Sequence, residues 1–184
     1  MRFASLLGLI LSTAAFAQNA APPLVPAGFD VPRLHKSSGF QLVPLGPDLA
    51  KHDYDAYMSS IEHLQKTFSL STRWPREGLT MEDALKDVQG EQQRFEARRS
   101  FTYAVLTPDG AKELGCVYIS PSRKQGYDAV VRLWVTKAQF DAGFEDVLIP
   151  EVKQWLAARW PFQSIAWTGR EITREAFAAL PDKP

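Results

Sequence analysis

The 184-residue chain has a single cysteine, Cys116, so no disulfide can form within one copy and the fold must rest on its apolar core. Cys116 sits in the apolar run Leu-Gly-Cys-Val-Tyr-Ile (114–119). It has neither the helix N-terminus nor the cationic neighbour that would make it a nucleophile, and is expected as a buried core residue. There is no H-E-x-x-H, C-x-x-C, G-x-S-x-G or phosphate-loop motif, so neither a metal hydrolase nor a serine hydrolase is supported and no metal is expected. Charge of one sign is missing too. Lys and Arg number 21, Asp and Glu 21, with no basic stripe, which argues against a nucleic-acid partner or attachment to a membrane surface. Of the three histidines, His35 is expected in solvent. His52 and His63 lie eleven residues apart on one expected helix, opposite its apolar stripe. At 1.5 Å rise per residue they stand roughly 16 Å apart, too far to share a metal.

Only one long hydrophobic run is present, at the start. Arg2 precedes an apolar stretch from Phe3 to Phe16, which closes on Ala15-Phe16-Ala17. This is the pattern of a secretory signal peptide, residues 1–17, and it is too short for a membrane anchor. The mature chain is then expected to begin at Gln18, in the periplasm or outside the cell, with no membrane span after cleavage. It keeps 167 residues, and loss of Arg2 takes the formal charge from zero to −1. That length suits one domain burying about 70% of its unfolded surface.

What is there reads as alternating elements. Residues 18–39 are rich in proline and small residues without periodicity, and are expected as a flexible leader. Phe40–Leu45 reads as a strand. Tyr54, Tyr57, Met58, Ile61, Leu64 and Phe68 fall at helical spacing and predict one helix over 48–68. Thr80, with Glu82 and Asp83 behind it, caps a second helix whose inner stripe is Met81, Ala84, Leu85, Val88 and Phe95. Strands at 101–106 and 113–119 flank Thr-Pro-Asp-Gly-Ala-Lys and predict a hairpin. A third strand spans Ala129–Val135, and a helix at about 143–159 carries Phe144, Leu148, Val152, Trp155 and Leu156 inward. A last strand at 163–167 precedes a short helical or loose tail. A meander with one strand-helix-strand crossover implies an α/β, or α+β, layered domain over residues 40–184.

The strand-helix-helix start, the hairpin ending in Leu-Gly-Cys-Val-Tyr-Ile-Ser-Pro-Ser and the strand Asp-Ala-Val-Val-Arg-Leu-Trp-Val with its loop and helix resemble the GNAT superfamily of acyl-CoA N-acyltransferases. The resemblance spans about Phe40 to Trp167. It implies a mixed, mostly antiparallel sheet flanked by helices and splayed between strands 129–135 and 163–167. Acetyl-CoA or another acyl-CoA would lie in that gap and acylate a small-molecule or protein amine. It also implies that Trp134 and Val135 offer backbone groups to the donor, while Lys137, Gln139 and Gly143 serve its phosphates.

The residues after the third strand fit that role unevenly. Gln139 stands where the family pattern has Gln or Arg, but the glycine, Gly143, comes one position late, and Glu145 replaces a small residue. Asp141, Glu145 and Asp146 surround the same helix start and are expected to cap and solvate it. Two charges ~4 Å apart exchange about 4 kcal/mol at a dielectric of 20, so these carboxylates oppose a phosphate. No tyrosine follows residue 167 to protonate a leaving thiolate. The remaining catalytic candidates are Glu62, Tyr118 and Arg132. For Glu62 the alternative is an exposed helix face, and for Tyr118, with Tyr127, packing around a loop. Arg132 shares a strand face with Trp134 and either pairs with Asp128, Glu62 or the C-terminal residues, or meets a ligand. Two function classes are therefore open: an acyltransferase with a degenerate pyrophosphate loop, and an exported binding or structural module on the same fold.

Overall fold

Turn chemistry and strand alternation set the sheet. In the computed structural model, which describes residues 22–67 and 73–184, the Asp109 carboxylate accepts from the Thr107 hydroxyl (2.5 Å) and the Ala111 N–H (3.0 Å). That closes the expected hairpin between β3 (Phe101–Leu106) and β4 (Glu113–Pro121). The expected signal peptide and Phe68 lie outside the described residues. β1 (His35–Lys36), β2 (Gln41–Pro44), β3, β4, β5 (Ala129–Val135) and β6 (Ile165–Trp167) follow one another across a six-stranded sheet. Every neighbouring pair is antiparallel except β5 and β6, which run parallel. The architecture is the mixed, mostly antiparallel α/β sheet that the sequence implies.

The helices are α1 (Ala50–Met58), α2 (Ile61–Thr67), α3 (Met81–Glu96), α4 (Lys137–Asp141), α5 (Glu145–Arg159) and α6 (Arg174–Ala179). Among the described residues no helix is long and apolar enough to cross a membrane. The sheet separates two cores. On one face Val117, Ile119, Val131, Leu133 and Val135 pack against Leu148, Val152, Trp155 and Leu156 of α5. On the other, Ala104, Cys116 and Trp134 meet Tyr57, Leu64, Ala84 and Val88 from α1, α2 and α3.

Five expectations change. The helix predicted over 48–68 breaks at Ser59 and Ser60, where the Ser59 hydroxyl donates to Ala56 O (2.7 Å) and Ser60 Oγ accepts the Lys137 N–H (2.8 Å). Serine side chains that bond backbone in this way compete with the helical ladder. In α3 the capping box of Thr80 and Asp83 forms as expected, but Met81 and Leu85 are 40% and 39% exposed. The helix expected from 143 starts at Glu145, with the short α4 ahead of it. Finally, residues 22–39 do not hang free. Val25 is buried in the α5-side core, with Phe29 and Val31 beside it. Leu24 N–H donates to Arg98 O (2.7 Å), the Arg98 guanidinium to Pro26 O and Phe29 O, and the Tyr103 hydroxyl to Pro32 O (2.6 Å). Three apolar anchors on a proline-stiffened segment suffice without periodicity, because proline lowers the entropy lost on docking. His35, expected in solvent, faces Trp155 at 5.4 Å and Glu151 at 3.4 Å.

Candidate functional site

β5 and β6 pair only over Ala129–Ile165, Val130–Ala166 and Val131–Trp167. Beyond Val131 the strands part, and Arg132–Val135 has β4 alone as its neighbour. The parting leaves a cavity of about 250 Å³ lined by Val131, Arg132, Leu133, Trp167, Arg170 and Arg174. Two arginines on its wall bridge to neighbouring elements. Arg174 donates to Thr67 O at the C-terminal end of α2, where the helix dipole favours a cation. Arg170, from the turn after β6, pairs with Glu145 at the start of α5. Glu145 was expected in solvent but is 9% exposed; the guanidinium and the helix N-terminus together compensate its buried charge.

Arg132 also lines a larger cleft of about 730 Å³ on the α1–α3 face of the sheet, with Tyr118, Thr102, Trp74, Asp87 and Glu91. The sheet face predicted for Arg132 and Trp134 is the observed one: Trp134 is buried, and its indole N–H donates to the Tyr118 hydroxyl (3.0 Å). Burial pushes the Tyr118 phenol well up, so it holds its proton. Arg132 needs none of the carboxylate partners expected for it. It reaches solvent and makes no ion pair among the described residues. Glu91 accepts the Thr102 hydroxyl (2.6 Å) and pairs with Arg94 (2.6 Å). Asp87, partly enclosed, is raised by burial and then by Glu91.

The other sequence-predicted residues fall elsewhere. Glu62 lines a separate hollow of about 740 Å³ between α2 and α4, together with His63, Phe140 and Lys137. The structure thus joins Tyr118 to Arg132 and Glu62 to Lys137, but not the two pairs to each other. His63, expected on an open helix face, is half-buried against Phe140 at 4.8 Å, and burial lowers its pKa. Lys137 grips Asp141 one turn on, at 2.5 Å. Val135 is buried. The region expected as an open loop is helical, and the amides of the residues expected to bind phosphate have acceptors within the chain. Lys137 N–H goes to Ser60, Gln139 N–H to Thr136 Oγ1 (3.4 Å), Gly143 N–H to Phe140 O (3.0 Å) and Phe144 N–H to Gln139 O (3.0 Å). Gly143, at φ 73°, turns the chain from α4 into α5.

Sequence reasoning missed a second group of polar residues. Asp53 and Glu113 are buried against Cys116 beneath α1. Burial pushes Asp53 up to about 7 and Glu113 well above the carboxylate range, and it raises the Cys116 thiol, with the neighbouring carboxyls adding to that. Asp53 was within reach of the pattern, since it stands three and four residues from the buried Ala50 and Tyr57. Glu113 was not. A β-bulge pairs Leu106 with Glu113 but Val105 with Gly115, so Leu114 is the extra residue and Glu113 turns to the Cys116 face. Gly115 permits the close strand contact: a Cβ there would lie 2.0 Å from Trp134 O.

No protein-family profile and no curated protein matches the chain by sequence. Solved structures do match by shape. A ribosomal-protein-S5-alanine acetyltransferase from Vibrio fischeri superposes with a TM-score of 0.52 at 14% identity, over 69% of this chain and 67% of that one. An apo ribosomal L7/L12 alpha-N-protein acetyltransferase gives 0.55 at 16%, over 74% and 71%. An acetyltransferase from Salmonella typhimurium, described as modifying the N-terminal serine of protein L7/L12, gives 0.52 at 13%, over 67% and 66%. The fold is the GNAT acetyltransferase fold. In GNAT terms, the parting of β5 from β6 is the splay that the sequence resemblance implies.

Proposed function

We propose that the protein is an N-acyltransferase that takes acetyl-CoA or another acyl-CoA in the β5–β6 gap and an amine in the cleft over Tyr118. The observation that carries this reading is Arg132, which lines both the gap and the cleft. The donor would supply an activated acyl group. Asp87 and Glu91 attract a cationic amine and offer carboxylates to take up its proton, and Arg132, without an ion pair among the described residues, offers a cation at the junction. Two of the neighbours are described as an alpha-N-protein acetyltransferase of ribosomal L7/L12 and as an enzyme that modifies the N-terminal serine of L7/L12, which favours a protein or peptide amine as acceptor. Lys137, Gln139 and Gly143 are the groups nearest in sequence to the expected pyrophosphate loop. With their backbone amides engaged and Lys137 held by Asp141, that loop is a degenerate one.

The same engagement favours a second reading, an exported binding or structural module that keeps the GNAT fold. The gap, at about 250 Å³, is smaller than ligand pockets of about 300–1,000 Å³. A signal peptide over residues 1–17 would also carry the chain away from cytoplasmic acyl-CoA. Calorimetric titration of the mature chain with acetyl-CoA separates the two. The enzyme reading expects heat of binding at millimolar or lower cofactor, weakened roughly tenfold by Lys137→Glu, which sets a second carboxylate beside Asp141. Silence at millimolar cofactor removes the enzyme reading and leaves the module.

A further inference from the structure

Asp53, Glu113 and Cys116 meet between α1 and β4, apart from both the gap and the cleft. Cys116 is fully buried, and Asp53 and Glu113 are 3% and 2% exposed. The Cys116 sulfur lies 3.7 Å from Asp53 Oδ1 and 3.2 Å from Glu113 Oε1. One donor atom from each residue lies within 4.8 Å of the other two. A thiolate about 2.3 Å and a carboxylate oxygen about 2.1 Å from a zinc ion, at a tetrahedral angle, stand about 3.6 Å apart. The two sulfur–oxygen distances therefore bracket that of a tetrahedral site, and all three ligand atoms lie within 4.8 Å of one another.

Two independent features point to a cation here. Glu113 bonds only within the cluster, to Cys116 and Asp53, and among the described residues its buried Oε2 meets no other donor, an arrangement that is costly for a charged carboxylate without a cation. No lysine, arginine or histidine pairs with either carboxyl among the described residues. Glu113 also forms part of the wall of a surface hollow of about 350 Å³, with His52, Lys112 and Thr136, so an ion from solvent has a path to it.

We propose that Asp53, Glu113 and Cys116 bind one divalent transition-metal ion of the zinc type. The thiolate selects a borderline-soft ion over magnesium or calcium, and a water from the hollow supplies the fourth ligand. Binding releases the ligand protons to solvent and changes no oxidation state. The bound ion clamps α1 to the bulged start of β4. Absence of a local motif does not weigh against this site, because its ligands come from two elements sixty residues apart and a bulge aims one of them.

The test uses the full mature chain, stripped of metal and titrated with Co²⁺ alone. One equivalent should bind with a thiolate-to-cobalt charge-transfer absorption, and Zn²⁺ should displace it. Cys116→Ser should lose that absorption, and Glu113→Gln, which keeps the side-chain shape, should weaken cobalt binding roughly tenfold or more. Zn²⁺ should raise the thermal midpoint of the unmodified chain and raise that of Glu113→Gln by less. No charge-transfer absorption in the unmodified chain, or binding equally tight in both variants, overturns the site. Should Cys116→Ser fail to fold, the unmodified spectrum and Glu113→Gln still decide.

Discussion

Arg132 and Tyr118 sit in one cleft but answer to different physics. The Arg132 side chain reaches solvent with no ion pair among the described residues, so its presence adds little to folding. Tyr118 accepts the indole N–H of buried Trp134, and its removal strands a donor in the core. Tyr118→Phe is therefore expected to cost about 1–3 kcal/mol in urea unfolding, while Arg132→Ala stays within about 0.5 kcal/mol. If Arg132→Ala destabilises as much as Tyr118→Phe, the guanidinium is structural and its assignment to ligand binding fails. Asp53 and Glu113 show the same scale from the other side, where two carboxyls in an apolar core are tolerable only as neutral groups or with a cation.

Between elements, the decisive contacts cross the β5–β6 parting. Arg170 and Arg174 both come from the stretch after β6, and they reach α5 and α2 respectively. The gap is thus bridged by side chains rather than by the sheet. Arg170→Ala leaves Glu145 buried without its cation and is expected to cost about 1–3 kcal/mol. It should also open the gap, so acetyl-CoA binding, if present, should tighten or stay level while stability falls. A loss of binding in step with the loss of stability would argue that Arg170 holds the donor instead. The break at Ser59–Ser60 belongs to this scale as well. It releases α2 from the line of α1, which brings His63 onto Phe140 and lets Ser60 occupy the amide of Lys137.

For the molecule as a whole, export through a signal peptide over residues 1–17 is a proposal read from sequence pattern. N-terminal sequencing of material from outside the cytoplasm should read from Gln18; recovery of an intact Met1 in the cytoplasm alone would reverse that reading and strengthen the acyltransferase one. The wider pattern was legible from local chemistry. Thr80 with Asp83, Asp109-Gly110 in the hairpin turn, and the alternation of Ala129–Val135 each act within a few residues, so caps, turns and strand faces follow from spacing alone. The GNAT-type order of elements followed from them. The site did not, because its groups meet only after the chain has crossed on itself. Tyr118 and Arg132 are cross-strand partners on β4 and β5, whereas Glu62 ends in another hollow once the helix breaks. Glu113 changes face at a one-residue bulge that period-two counting cannot anticipate. Residues 22–39 look like a linker in composition, yet a few apolar side chains found a surface that exists only in the assembled sheet. Sequence by itself determined the elements and their order, since those rest on local hydrogen bonds and hydrophobic period. Tertiary structure decided which polar groups are buried together and which amides are left for a ligand, since both depend on contacts between residues far apart in the chain.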